Sequence, residues 1–168
     1  IFEKAIAQGR EYDAEIQAIL ARGERDPLAV YEAVAVADIR QAADLLAAVY
    51  RRTHTQDGYV SLEVSPELAH DAPGTLAEAR RLWQEVDRPN LMIKVPGTRT
   101  CLPVIRTLLA EGINVNITLL FSKDAYSLAA FSTSNTLLGL GERSVYAGHW
   151  ALTLGVTEKF SIVERYYT

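Results

Sequence analysis

The sequence 90-NLMIKV-95 places a charged lysine inside a short apolar run that is bounded by Arg88-Pro89 and by Pro96-Gly97. Two similar runs, 59-YVSLEVS-65 and 113-INVNIT-118, lie on either side of it along the chain, and helical patterns separate the three. Short strands that alternate with helices through short connections are typical of parallel βα units. The sequence therefore predicts an α/β fold with three neighbouring parallel strands.

The helical patterns are read from apolar periodicity and from capping residues. Four helices are expected, over residues 11–20, 75–87, 102–111 and 122–131. Thr75 and Glu78 have the spacing of a capping box, and this predicts the start of the second of these helices. Ser122 is the expected cap of the last one.

A further helical pattern begins at Asp26-Pro27, a cap residue followed by proline at the first helical position. No Gly or other Pro interrupts it before Arg52. Both one long helix and two consecutive helices fit the pattern. Because about 26 residues exceed the usual helix length, two helices are favoured.

Composition and charge exclude several classes of protein. The chain has 168 residues, of which 49% are hydrophobic and 23% charged, and this composition is typical of one folded domain rather than of a disordered or fibrous chain. The formal net charge of -4 offers no broad cationic surface, so neither nucleic acid nor an anionic membrane is an expected partner. No apolar run reaches the roughly 18 residues of a transmembrane helix.

The single cysteine, Cys101, cannot form an internal disulfide, and this favours a reducing compartment, the cytoplasm. His54, His70 and His149 do not have the spacing of metal ligands, and no metal site is predicted. The first residue, Ile1, lies within a helical pattern, and we expect the chain to be an interior piece of a longer polypeptide.

Each of the three predicted strands has one apolar and one polar face, because successive side chains of a strand point to opposite sides. The polar faces carry Ser61, Glu63 and Ser65 on the first strand, Lys94 on the second, and Asn114, Asn116 and Thr118 on the third. Parallel strands are usually covered on both sides and continuously apolar. The polar faces therefore predict a shared interior that carries functional groups.

Two interpretations of this polar face remain open on the pattern alone. In the functional one, Lys94 is an amine that burial holds neutral for Schiff-base chemistry on a carbonyl substrate. Glu63 would then exchange protons with the carbinolamine, while Asn116 and Thr118 would hold hydroxyls or a water. In the other, the strands are half-exposed, and Glu63 and Lys94 form a solvated cross-strand ion pair.

At these residues the sequence resembles the transaldolase family. The resemblance is densest in 57-DGYVSLEVSP-66, 88-RPNLMIKVP-96 and 111-EGINVNITLLFS-122, and it runs from Ile1 to about Tyr126. It implies a (β/α)8 TIM barrel, of which this chain would contain parallel strands three to five with their flanking helices. We expect a transaldolase-like partial barrel over residues 1–131 and a divergent tail of unknown structure over 132–168.

The resemblance also implies an activity. The family transfers a dihydroxyacetone unit from sedoheptulose 7-phosphate to glyceraldehyde 3-phosphate through a lysine Schiff base, in the pentose phosphate pathway. Sugar phosphates are then the substrates, and neither a metal nor an organic cofactor is implied. Lys94 would be the Schiff-base lysine, Glu63 would act through a catalytic water, Thr118 would be catalytic, and Asn116 and Ser61 would bind substrate.

The loop after the lysine departs from the family pattern. Pro96 is followed by Gly97-Thr98-Arg99-Thr100-Cys101, where relatives usually have Pro-Ala-Thr-x-x-Gly. Two other functions also stay open: a different Schiff-base sugar-phosphate aldolase, and an inactive truncated remnant. Because three strands of a barrel would leave open sheet edges, a homo-oligomer formed through those edges is expected.

Overall fold

The computed structural model describes residues 9–129 in full and the backbone of three short strands at 144–148, 151–155 and 162–164. The helices are α1 (Asp13–Ala21), α2 (Pro27–Arg52), α3 (Ala72–Val86) and α4 (Leu102–Ala110), with a 3-10 turn at Pro66–Leu68 and a helical segment at 123–129. The strands are β1 (Val60–Glu63), β2 (Leu91–Pro96), β3 (Val115–Thr118), β4 (Ser144–Gly148), β5 (Ala151–Gly155) and β6 (Ile162–Glu164). The helical pattern at Ile1, the expected helix end at residue 131 and His149 lie outside the described residues.

The described strands form one six-stranded sheet in the order β1-β2-β3-β5-β4-β6. β2 pairs in parallel with β1 on one side and with β3 on the other. A helix follows β1 and another follows β2, so each crossover passes through a helix, as parallel pairing requires. The prediction of an α/β fold with three parallel strands is confirmed.

The outer edge of β3 is not open, contrary to expectation. β5 pairs with it in antiparallel orientation, and β4 pairs with β5. The sequence predicts no strand here, because residues 144–155 have no clear alternating period. The edges of the described sheet are β1 and β6. The predicted boundary after residue 131 stays a prediction, although β5 lies beyond it and joins the same sheet.

Of the two alternatives left open after Asp26, the less favoured one is observed: α2 is a single helix of 26 residues. The Asp26 side chain caps it by accepting a hydrogen bond from the backbone N–H of Leu28. Without an internal Gly or Pro nothing breaks it, and α1, α3 and β1 all pack along its length. Among the described residues no helix, α2 included, combines the length and the apolarity needed to cross a membrane.

Helix α3 begins three residues before the expected capping box. Asp71 is its N-cap and accepts a hydrogen bond from the backbone N–H of Gly74 at 3.0 Å. Thr75 instead donates its hydroxyl to the carbonyl of Leu68, and Glu78 accepts the backbone N–H of Ser65 at 2.8 Å. The capping-box prediction is therefore wrong, because Asp71 already supplies the cap and both side chains bind the turn that follows β1. The other cap is as predicted: Ser122 Oγ accepts the backbone N–H of Ala125 at 3.1 Å.

The core lies between the apolar face of the sheet and the helices α3 and α4. The face that was predicted to be apolar is fully buried on β2 and β3, at Leu91, Ile93, Val95, Val115 and Ile117. From the helices, the fully buried side chains on this side are Ala79, Val86, Ile105, Leu108 and Leu109. Close packing of these groups is the main source of stability for the three parallel strands.

Ion pairs join the helices at the surface. Arg88 holds Asp44 of α2, with 2.6 Å between Nε and Oδ1, and this hydrogen bond lowers the pKa of the Asp44 carboxyl. Arg80 of α3 pairs in the same way with Glu111 at the end of α4. Exposed pairs of this kind contribute little to stability.

Truncation of Ile93 to alanine tests the position of the core. Ile93 is fully buried at the centre of β2, and Ile93→Ala is expected to lower the free energy of unfolding by about 2–5 kcal/mol, since it removes buried methyl groups and leaves a cavity. Urea unfolding followed by circular dichroism measures the change. Leu45→Ala is the matched control, because Leu45 is 81% exposed on α2 and its loss should change stability by less than about 0.5 kcal/mol.

Candidate active site

Three polar side chains form a row across the sheet. Glu63 of β1 and Asn116 of β3 are both Cα partners of Lys94 of β2, one on each side. Paired residues of neighbouring strands point to the same face, so the three share the face opposite the core. The row lies toward the carboxyl ends of the parallel strands, where βα proteins place their binding and catalytic groups.

Lys94 and Glu63 are in direct contact. The amine Nζ donates to Glu63 Oε2 at 3.1 Å, and the two side chains are 32% and 48% exposed. Lys94 is therefore ion-paired and open to solvent from one side, rather than enclosed by apolar groups as its sequence context suggested. This contact is the cross-strand ion pair of the second interpretation, and the burial on which the first one relied is not found at Lys94. What the first interpretation keeps is an amine beside a carboxylate that can exchange a proton with it.

Ser61 and Asn116 meet across β2. Asn116 Nδ2 donates to Ser61 Oγ at 3.2 Å, although the two belong to β1 and β3, which are not neighbours. In a flat sheet these strands would lie about 10 Å apart with their side chains perpendicular to it. The polar face is therefore concave at this point, the curvature expected of the interior of a barrel.

Thr118 ends β3 on the same face, two residues beyond Asn116. Its hydroxyl lies 3.5 Å from the carbonyl oxygen of Val95, at the limit of a hydrogen bond. The structure thus brings Ser61, Glu63, Lys94 and Asn116 into contact in pairs, and it places Thr118 at the rim of the same face.

Two groups that position the site were missed by sequence reasoning. Glu78 reaches from α3 to the backbone N–H of Ser65, two residues after Glu63, and so ties the end of β1 to the helix. Gly97 donates its backbone N–H to Thr118 O at 2.7 Å and so joins the end of β2 to the end of β3. The sequence pattern assigns Glu78 to a helix cap instead. Of these two positions, only Gly97 is marked in the sequence, because Pro96-Gly97 indicates the end of the strand.

Gly97 has no room for a side chain. A Cβ there would lie 2.6 Å from Leu120 Cδ2 and 2.9 Å from Thr118 O. The residue that follows β3, Leu119, has a positive φ of 62°. A non-glycine residue in this region is strained and persists only where its surroundings hold it, so the end of β3 is closely constrained beside Lys94.

In the described part of the chain no three His, Cys, Asp or Glu residues come close enough to bind a metal ion. The chemistry that the described groups themselves offer is that of an amine, a carboxylate and a carboxamide in one row. An amine next to a proton carrier suits attack on a carbonyl group, and neutral polar groups beside it suit hydroxyl recognition.

Comparison with known proteins identifies the family of the chain. The family described as Transaldolase/Fructose-6-phosphate aldolase matches residues 1–154, more than nine tenths of the chain. The chain belongs to this family. The match extends beyond Tyr126, where the resemblance seen in the sequence was expected to end.

Individual relatives match most of the chain at about 50% identity. The chain is 51% identical to Transaldolase 2 of Nostoc punctiforme over 133 residues, which are 79% of this chain and 34% of the relative. It is 50% identical to Transaldolase of Thiobacillus denitrificans over 144 residues, 86% of this chain and 39% of the relative. The chain thus spans between a third and two fifths of the length of these curated relatives.

Substitution of Gly97 tests how this member of the transaldolase family holds its two strand ends together. Gly97→Ala is expected to destabilise the fold by about 1–3 kcal/mol, because the new methyl group overlaps Leu120 and the carbonyl of Thr118. It should also move the amide resonances of Thr118 and Lys94 in a ¹H–¹⁵N spectrum.

Gly112→Ala is the control for this experiment. Gly112 has a positive φ of 82°, but a Cβ at this position would have no atom within 4 Å, so its substitution costs stability through backbone strain alone. The Lys94 and Thr118 resonances should stay in place in Gly112→Ala. If they moved equally in both variants, the contact at Gly97 would not be what positions the site.

Proposed function

We propose that this chain carries the Schiff-base centre of a transaldolase, which transfers a dihydroxyacetone unit from sedoheptulose 7-phosphate to glyceraldehyde 3-phosphate in the pentose phosphate pathway. The observation that carries the proposal is the 3.1 Å contact between Lys94 Nζ and Glu63 Oε2 at the carboxyl ends of parallel strands. Membership of the family and the identity to curated transaldolases support it.

The first half of the reaction forms the covalent link. Lys94 Nζ, after giving up a proton, attacks the carbonyl carbon of the ketose and forms a carbinolamine. Glu63 lies within hydrogen-bond distance of the amine, so it can accept that proton and return one to the leaving hydroxyl, directly or through one water. Loss of water then leaves the protonated imine on Lys94.

The second half breaks and remakes a carbon–carbon bond. A base outside the described row must take the proton of the C4 hydroxyl. Erythrose 4-phosphate then leaves, and the electron pair of the broken C3–C4 bond becomes the enamine on Lys94. The enamine carbon then adds to the aldehyde of glyceraldehyde 3-phosphate, and hydrolysis of the new imine frees the product. We assign Thr118 to the catalytic water and Asn116 to substrate binding. Ser61, which the resemblance also places among the substrate-binding residues, is in contact with Asn116.

A second candidate is aldol cleavage without an acceptor. The family description names fructose-6-phosphate aldolase beside transaldolase, and the same Lys94 imine would serve both reactions. An aldolase releases free dihydroxyacetone from fructose 6-phosphate, whereas a transaldolase retains the enamine until an acceptor aldehyde arrives. Release of dihydroxyacetone in the absence of acceptor therefore distinguishes the two.

Borohydride trapping tests the proposal directly. The chain is incubated with fructose 6-phosphate, reduced, and digested for mass spectrometry. A covalent adduct is expected on Lys94 and should be lost in Lys94→Ala, because only an imine is reduced to a stable secondary amine under these conditions. Glu63→Gln should slow the formation of the adduct by about 100-fold, the lower range for loss of a general acid–base group.

Lys123→Ala is the matched control, since Lys123 is an exposed lysine in the helical segment at 123–129, outside the row. It should trap as well as the unsubstituted chain. A folded chain that gives no adduct on Lys94, or equal adducts on Lys94 and Lys123, would contradict the proposal and would favour the inactive-remnant alternative.

We further propose that the protein acts in the cytoplasm and that its barrel-derived part covers residues 1–131. The single cysteine, Cys101, is buried and unpaired, as suits a reducing compartment. The partners that we propose are sugar-phosphate substrates and a second copy of the chain.

The second copy is proposed to pair through β1. This strand lies at an edge of the described sheet, and an uncovered edge offers backbone groups to another strand. Sedimentation velocity over a range of concentrations should show a dimer that dissociates on dilution. A monomer at every concentration would contradict self-association through this edge.

A further inference from the structure

We propose that Ser61 is a positioning residue for the reaction and acts through Asn116. The proposal rests on the proposed function, since it concerns the groups beside Lys94. The resemblance implies that Ser61 contacts substrate, whereas here Ser61 positions Asn116. In this assignment the Ser61 hydroxyl holds the Asn116 carboxamide in place, and the carboxamide oxygen is the group left to receive a hydrogen bond from substrate or water.

The first observation is that the Ser61 hydroxyl is already engaged. It accepts the Nδ2 group of Asn116 at 3.2 Å. Ser61 is the Cα partner of Met92, which is 2% exposed, and it lies two residues before Glu63 on β1. Ser61 therefore lies one row below Lys94, away from the carboxyl ends of the strands where substrate enters.

The second observation is that the oxygen of the Asn116 carboxamide, Oδ1, is buried and has no hydrogen-bond partner among the described residues. A buried acceptor without a partner is unfavourable, and in native proteins such a group is explained by strain, by a catalytic role or by a bound water or ion. Asn116 is the Cα partner of Lys94 on β2 and of Thr153 on β5, and we place the donor that completes Oδ1 on the lysine side, where the reacting groups lie.

Together these observations indicate that Ser61 fixes the orientation of the Asn116 carboxamide. An asparagine side chain rotates about its last bond easily, and its two ends are a donor and an acceptor of similar shape. One hydrogen bond to Nδ2 is enough to hold the plane of the group and to leave Oδ1 unpaired. Without the hydroxyl, the carboxamide can turn and present an N–H where an acceptor is needed.

Trapping of dihydroxyacetone on Lys94 with cyanoborohydride measures the consequence. Ser61→Ala should raise the half-saturating concentration of dihydroxyacetone about three- to tenfold, the effect of one hydrogen bond. The trapping rate at saturation should change less, because Lys94 and Glu63 are untouched. Ser61→Thr keeps a hydroxyl and should stay within about twofold of the unsubstituted chain. Ser127→Ala, at an exposed serine, is the control and should have no effect.

A double-mutant cycle shows whether Ser61 acts through Asn116. In the Asn116→Ala background, Ser61→Ala should produce no further rise in the half-saturating concentration. A further rise of the same size would show that Ser61 contacts substrate by itself, and this would overturn the proposal. An unchanged half-saturating concentration in the single variant Ser61→Ala would overturn it as well.

The Asn116 carboxamide resonances in a ¹H–¹⁵N spectrum give a readout that needs no activity. They are assigned by their loss in Asn116→Asp, and they should shift in Ser61→Ala but not in Ser61→Thr. If they do not respond to Ser61→Ala, the positioning role is wrong even where Lys94 is trapped. If they respond but the unsubstituted chain forms no adduct, the hydrogen bond exists and it is the proposed function, with the role built on it, that fails.

Discussion

Parallel pairing of β2 with a strand on each side is the constraint on which the rest of the structure depends. Because β1 and β3 are in register with β2, Glu63 and Asn116 are brought to either side of Lys94. The same pairing buries Ile93 and its neighbours against α3 and α4 on the opposite face. A shift of one residue in either pair would exchange the two faces and remove both the core and the row.

The loops and helices around the sheet hold the ends of these strands. Gly97 joins β2 to β3 where a side chain would not fit, and Glu78 joins the end of β1 to α3. Neither group belongs to the row, yet each fixes a strand end within three residues of one of its members. Reacting groups must be held in a fixed geometry. Because the Lys94 side chain is flexible, this geometry depends on strand ends that are held rigidly.

Much of this arrangement was predicted from residue patterns. The three strands, the polar face they share and the helix at Leu102–Ala110 follow from alternation, apolar periodicity and glycine placement. Three local features differ from what the sequence favoured: the break in α2, the capping box at Thr75 and Glu78, and the open edge of β3. The closed edge of β3 depends on β5, a partner distant in sequence that local patterns do not contain. The other two have local causes: no Gly or Pro inside residues 28–52 breaks α2, and Asp71, four residues before Thr75, already caps α3.

The sequence by itself determined which residue types meet at the site, because a period of two places Ser61, Glu63, Lys94, Asn116 and Thr118 on one face of their strands whatever the curvature of the sheet. Only the tertiary structure decided which of them touch. The curvature of the sheet brings Ser61 of β1 to Asn116 of β3 over an intervening strand, and the register sets Glu63 rather than a neighbour against the amine of Lys94. Curvature and register arise from the packing of whole strands against helices, so no single stretch of sequence encodes them.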